Sequence, residues 1–246
     1  MALRALKAGK HVLTDKPLCS SRSEWEAIRE EKEKSGLTVG IMLDLADHAN
    51  FHAAAEAIRE GAVGKINNIA FEGQHPLLYG TRPGWYFEKG KYSGVVNDIA
   101  IHGVDFVNSL TGSGVEEVIG ARSWNFYAKE APHFKDSAQF VLKMASGAGV
   151  IADVSYSAPD TQGYTLPAYW HFRVWGEKGM MEWSYSSDGV MFYPAGETGG
   201  RKLDGLPPEK TYLDRFLAAV RTRDDSFSEA MLRATEDTLK IQEKAE

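Results

Sequence analysis

Asp98, His102 and Asp105 stand four and three residues apart in the run "GVVNDIAIHGVDFVNSLTG", residues 94–112. On a regular helix that spacing puts all three on one face, with Ile101, Val104, Val107 and Leu110 on another. A carboxylate one turn before an imidazole can fix its tautomer and raise its pKa, which suits a general acid–base. The same spacing also fits a solvated face with an incidental pair. The second candidate is Lys16, in "HVLTDKPLCSS", residues 11–21. Pro17 pushes it towards an extended backbone, and a helix begins within a few residues. A lysine so placed sits at the C-terminal edge of a parallel strand, where open α/β sheets bind ligands.

Two further patterns are weaker. "GAGVIAD", residues 147–153, matches a Gly-x-Gly-x-x-Ala string, but it falls between two strand patterns and reads as a hairpin turn. His48 and His52 have a spacing that can hold zinc. No evident third ligand accompanies them, and capping of the helix that opens there explains them better. Asp44 and Asp47 keep a small metal alternative open. Among the aromatics, Trp85 and Tyr79 lie in a Gly/Pro-rich loop over residues 75–94, suited to stacking on a sugar ring or to anchoring the loop. Trp170 and His171 open a strand, and Trp175 and Trp183 read as core or interface. Cys19 reads as a small buried apolar residue.

The elements that must position these groups follow from periodicity. Residues 1–43 read helix–strand–helix–strand, with Gly9 and Gly36 as helix stops and Ser21 or Ser23 as a cap. That is the grammar of a parallel α/β sheet, but it is too short to cover both of that sheet's faces. A face around Leu3, Leu6, Val12 and Leu13 is therefore expected to be exposed or buried against another chain. From residue 44 onward, a helix at 51–60, a strand, the aromatic loop and the helix at 98–111 lead into six β-rich runs. Two helices close the chain. This part reads as a mostly antiparallel sheet with one face covered by helices, so the fold class is α+β following a Rossmann-type remnant.

Composition bounds the function. The 246 residues carry a formal net charge of −6 and one cysteine, and 43% are apolar. An acidic balance argues against nucleic acid and anionic membrane surfaces. A single cysteine excludes an internal disulfide and points to a reducing, cytoplasmic setting. No apolar run is long enough to span a bilayer.

Taken together and in order, "AGKHVLTDKPL", "EAIREGAVGKI" and the 94–112 helix resemble the motifs of the Gfo/Idh/MocA family, the glucose–fructose oxidoreductase and inositol dehydrogenase group. The resemblance implies a Rossmann domain ending near residue 43 and an α+β substrate and oligomerisation domain over 44–246. It implies oxidation or reduction of a sugar, polyol or related hydroxyl compound with NAD or NADP. Lys16 would stand beside nicotinamide and substrate, with Asp15 and Pro17 at the cofactor. His102 would exchange the hydroxyl proton, and Asp98 would bind substrate or orient His102. Trp85, Tyr79, Asp105 and His171 would contact substrate, no metal would be needed, and the open sheet would serve self-association as a dimer or tetramer.

The pattern departs from the family in three places. Asp15 replaces a glutamate, Ala46-Asp47 stands near a usual Arg-Phe pair, and the glycine turn for the pyrophosphate precedes Met1. A cofactor-impaired oxidoreductase and a non-catalytic sugar-binding or assembly remnant are both open. A metal-dependent hydrolase or lyase using His48, His52, Asp44 and Asp98 is a third reading.

Overall fold

The computed structural model describes residues 1–246. A short helix α1 (Ala2–Lys7) leads through Gly9, at φ +71°, to strand β1 (Val12–Thr14). Helix α2 (Arg22–Ser35) starts where Ser21 accepts a hydrogen bond from the Glu24 amide and ends at left-handed Gly36. Strand β2 (Val39–Ile41) then pairs parallel with β1. Helix α3 (Ala49–Arg59) connects to the long strand β3 (Ile66–Pro76), and the loop after it leads to helix α4 (Ile101–Thr111).

The second half builds the large sheet. Its strands are β4 (Val115–Trp124), β5 (Ser137–Met144), β6 (Gly149–Ala158), β7 (His171–Gly176), β8 (Gly179–Ser184), β9 (Val190–Pro194) and β10 (Arg201–Leu203). Helices α5 (Tyr212–Thr222) and α6 (Ser226–Ala245) close the chain. The eight strands run in the order β10-β9-β8-β7-β3-β6-β5-β4, antiparallel except for the β3–β6 pair. The turn at Gly147, φ +91°, joins β5 to β6 as a hairpin, so "GAGVIAD" opens a strand rather than cradling a nucleotide. Three-residue β10 has too short a pattern to be read from sequence.

Strand alternation decides which face is covered. Ile69 and Phe71 on β3, Phe140 and Leu142 on β5, Val150, Ala152 and Val154 on β6, and Phe172 and Val174 on β7 join a buried cluster under α3 and α4. The opposite face leaves Val141 and Ile151 exposed beside Glu72, Arg122 and Arg173, around a groove of about 490 Å³.

One expectation fails at the front of the chain. Leu6 and Val12 are buried within this chain, in a second cluster with Trp25, Ile28, Val39, Met231 and Leu232. The reason is α6, which returns from the far end to pack on α2 and β2; the Trp25 indole N–H donates to the Leu232 carbonyl at 2.9 Å. Leu13 is half-buried, and its neighbour Gly40 faces Phe216 and Phe227 closely enough that a Cβ there would clash. The two-stranded sheet is thus covered by the chain's own C-terminal helices. Lys32 on α2 belongs to the same contact: its ammonium is buried and held by Asp225 at 2.5 Å and Glu229 at 2.7 Å.

Candidate functional site

Lys16 leaves the end of β1 and meets Asp98, whose Oδ1 accepts from its ammonium at 2.5 Å. The Lys16–Pro17 peptide bond is cis. Asp98 does not sit on a regular α-helix. It lies in a five-residue π-helical segment, Val96–Ala100, that feeds into α4. Such widened turns recur at functional positions. Asp98 reaches into a buried polar knot. Its second oxygen accepts from both Tyr86 and Tyr156, whose hydroxyls lie 2.8 Å from each other. Arg82 stacks over both tyrosine rings, 4.9 and 4.7 Å from their centroids.

Electrostatics follow from this packing. Burial alone would raise the Asp98 carboxyl, but the Lys16 charge and the three hydrogen bonds hold it below the usual carboxylate range. Burial, then the charge of Asp98, pushes the Tyr86 hydroxyl well above its ordinary value and Tyr156 likewise. Both therefore stay protonated as donors.

His102 takes a different partner. Its Nδ1 lies 3.8 Å from Asp44, a largely exposed carboxylate on the loop after β2, and its ring packs 6.0 Å from Trp170. Burial and the nearby Lys16 charge push its pKa down to about 4, against the opposing pull of Asp44 and Asp98. The imidazole is therefore neutral at pH 7. His75, at the end of β3, stands close by: burial and then the His102 charge push its pKa down to about 3, and its buried Nε2 has no hydrogen-bond partner.

The remaining residues singled out in the sequence disperse. His171 is on the open face of the sheet, where its Nε2 lies 2.9 Å from Glu182, because alternation on β7 turns Phe172 and Val174 inward instead. This corrects its expected place at the substrate. Asp105 lines a separate cleft of about 990 Å³ between α3, α4 and α5, and burial pushes its carboxyl up to about 7 against the pull of Arg215. Neither Lys16, Asp98 nor His102 lines that cleft, so Asp105 is also removed from the Lys16 site. Trp85 and Tyr79 are exposed in the loop, and it is their neighbour Tyr86 that reaches Asp98. Asp15 accepts from the Lys16 amide. Cys19 is buried, and burial pushes its thiol up to about 12, so it is an unreactive core residue.

No group of three His, Cys, Asp or Glu side chains is placed to hold a metal ion, and Asp98 is fully engaged by Lys16 and the tyrosines. This geometry leaves the metal-hydrolase reading without its ligand set. At the α2 N-terminus the Glu24 carboxylate accepts from the Ser20 amide, and acidic Asp44 and Asp47 precede α3.

A family model for the Gfo/Idh/MocA C-terminal domain matches residues 51–182, more than half of the sequence. The chain belongs to the Gfo/Idh/MocA family. It is 22% identical over 209 residues to a levoglucosan dehydrogenase of Pseudarthrobacter phenanthrenivorans, covering 75% of this chain and 52% of that protein. It is 27% identical over 181 residues to a myo-inositol 2-dehydrogenase of Thermotoga maritima, covering 73% and 51%. The chain thus spans about half the length of the curated relatives it matches. A solved structure of levoglucosan dehydrogenase in complex with NADH superposes with a TM-score of 0.79 at 18% identity, over 99% of this chain and 73% of that one. At that identity the likeness concerns the fold. Within the family frame, the mostly antiparallel sheet and the helices on one of its faces are the expected α+β architecture.

Sequence reasoning missed Tyr156, Trp170 and His75 as members of the site, and held Asp44 only as a metal alternative. Tyr156 carried a usable signal: it shares the inward parity of Val150, Ala152 and Val154 yet bears a hydroxyl. A buried tyrosine on a core face needs a polar partner.

Proposed function

We propose that this chain provides the substrate-binding and proton-transferring part of an NAD(P)-dependent oxidoreductase acting on a sugar, polyol or related hydroxyl compound. The observation that supports this best is the convergence of Lys16, from the end of β1, with the Asp98/His102 segment, under a neutral buried imidazole. The named activities of the relatives point to the same substrate class.

NAD or NADP, the cofactor that the family implies, would accept a hydride from the carbinol carbon. The residues here account for the proton. Neutral His102 takes it from the substrate hydroxyl, and Asp44 steadies the imidazolium that forms. The Lys16 ammonium donates a hydrogen bond to the same oxygen and lowers its proton affinity. Asp98, with both oxygens engaged, holds Lys16 in place and leaves His102 free.

A second reading is a sugar-binding protein without turnover, favoured by the Glu24 carboxylate at the α2 N-terminus. Calorimetric titration with NADH and with NADPH, followed by a polyol and aldose screen, separates the two. Micromolar cofactor binding with turnover that Lys16→Ala and His102→Ala abolish supports the oxidoreductase. Sugar binding lost in the same variants, with no cofactor binding at millimolar concentration, supports the second reading. Self-association belongs to this proposal as well: the exposed Val141 and Ile151 on the open sheet face suit a dimer or tetramer, and Ile151→Glu would then yield monomers in light scattering.

A further inference from the structure

A band of aromatic rings extends from His102 through Trp170 and Tyr169 and has no part in the proton chemistry. Trp170 packs 6.0 Å from His102, and Tyr169 lies 6.3 Å from Trp170 and 4.8 Å from His75. From Tyr169 the band forks, with Tyr164 at 5.0 Å and Tyr185 at 5.1 Å, and His48 stacks 4.0 Å beyond Tyr185. Trp170 is buried and Tyr169 half-buried, whereas Tyr164 is 46% exposed and Tyr185 39% exposed.

These rings are held in place by more than their own packing. The Tyr185 amide donates to the Trp170 carbonyl at 2.8 Å, and the 159–170 connection is pinned where the Leu78 amide donates to Asp160 at 2.8 Å. Two polar atoms along the band are buried without a partner: His48 Nδ1 and His75 Nε2. An unpaired buried polar atom costs free energy, and a hydroxyl-bearing ligand would remove that cost.

Apolar rings with interspersed hydrogen-bonding atoms match a pyranose, which presents C–H groups on its faces and hydroxyls around its rim. A hexose held at His102 would meet Trp170 first, whereas Tyr164 and Tyr185 lie two rings beyond Trp170 and His48 three. We propose that the Tyr164–Tyr169–Tyr185 band beside His48 is a subsite for a second sugar ring, so that the substrate is a disaccharide or glycoside rather than a free monosaccharide. This rests on the sugar-binding reading of the Lys16 site and adds the size of the ligand to it.

The test is ligand-observed saturation-transfer NMR on the full 246-residue chain, titrating cellobiose, maltose and glucose separately. One of the disaccharides should bind about tenfold tighter than glucose, a gain of the size that aromatic contacts supply. Tyr185→Ala and Tyr164→Ala, both at exposed positions, should bring that disaccharide to the glucose level and leave glucose itself unchanged. Equal affinities, or a disaccharide advantage that survives both substitutions, would overturn the subsite. Glucose binding that depends on Lys16 with no gain for either disaccharide would refute the subsite and leave the site reading standing. Failure of all three sugars to bind would refute the subsite, and the cofactor titration and polyol screen would then decide the site reading alone.

Discussion

Lys16 Nζ and Asp98 Oδ1 are 2.5 Å apart across 82 residues of sequence, and this pair joins the two parts of the fold. Lys16 sits at the end of the two-stranded parallel sheet; Asp98 sits in the helix layer of the eight-stranded one. Asp98 keeps only 6% of its side-chain surface exposed, against 27% for Lys16. The carboxylate is therefore the fixed member, locked by Tyr86 and Tyr156, and the lysine is positioned by it.

Asp98→Asn should accordingly destabilise the chain and release Lys16. The folded Asp98 carboxyl titrates below its ordinary value, so its share of stability is present above about pH 4 and is lost as the pH falls further. Breaking a buried pair costs up to 3–5 kcal/mol, and about 2 kcal/mol is expected here because Lys16 retains solvent. Urea denaturation should show that deficit at pH 7 and a smaller one at pH 3. An equal deficit at both would mean that the charge on Asp98 contributes nothing.

Three partly buried histidines make a second pH prediction. Burial pushes His102 down to about 4 and His75 to about 3, and lowers His48. Each folded ring binds fewer protons than the unfolded chain below its ordinary value near 6.5. The stability they permit is full above that pH and is lost as the pH falls through the folded values. Thermal melts should decline between pH 6.5 and 4, and His75→Gln and His102→Gln should each flatten that decline by on the order of 1–3 kcal/mol. A parallel decline in wild type and both variants would remove these rings from the acid response.

How much of this was legible in the sequence depends on whether a residue's role was local. Lys16 could be placed by its strand end and Pro17, and Gly36 marked a helix end that the structure shows as a left-handed cap. The spacing of Asp98, His102 and Asp105 did not report their partners: Asp98 meets Lys16 and two tyrosines, His102 lies beside Asp44, and Asp105 lines another cleft. His171 was misplaced because strand parity was not applied to it, though Phe172 and Val174 beside it carried the signal. Leu6 and Val12 were expected to lack cover because α6, more than 200 residues away, could not be placed against them. Tyr86 and Tyr156 meet Asp98 from a loop and a strand 70 residues apart, a convergence no periodicity reports.

Lys32 yields an asymmetric prediction. Burial alone would lower its pKa, but Asp225 and Glu229 hold the ammonium above its ordinary value. The lysine is 3% exposed, whereas the two acids keep 65% and 38% of their side-chain surface. Lys32→Met preserves the packed stem and leaves two solvated carboxylates, so it should cost about 1 kcal/mol or less. The Asp225→Asn, Glu229→Gln pair strands a buried cation and should cost about 3 kcal/mol or more. Chemical denaturation of the two variants decides this, and equal costs would show that burial of Lys32 is not the governing factor.

Gly103 ties the site to the sheet beneath it. It follows His102 on α4, and a Cβ there would stand 2.4 Å from Cε2 of Phe71, a ring 2% exposed on β3. Phe71 stacks on Phe172 at 5.2 Å and cannot swing aside without opening the main core. Gly103→Ala must then lift α4, at a cost of about 1–3 kcal/mol from overpacking. His102 would move with the helix relative to Asp44 and Trp170, which other elements carry. The expected signature is therefore double: a lower melting temperature, and sugar binding weakened beyond what the stability loss explains at temperatures where the variant remains folded. Restoring space with Phe71→Leu in the same chain should recover much of both. Recovery of stability without recovery of binding would show that the position of α4 does not set the geometry of the site.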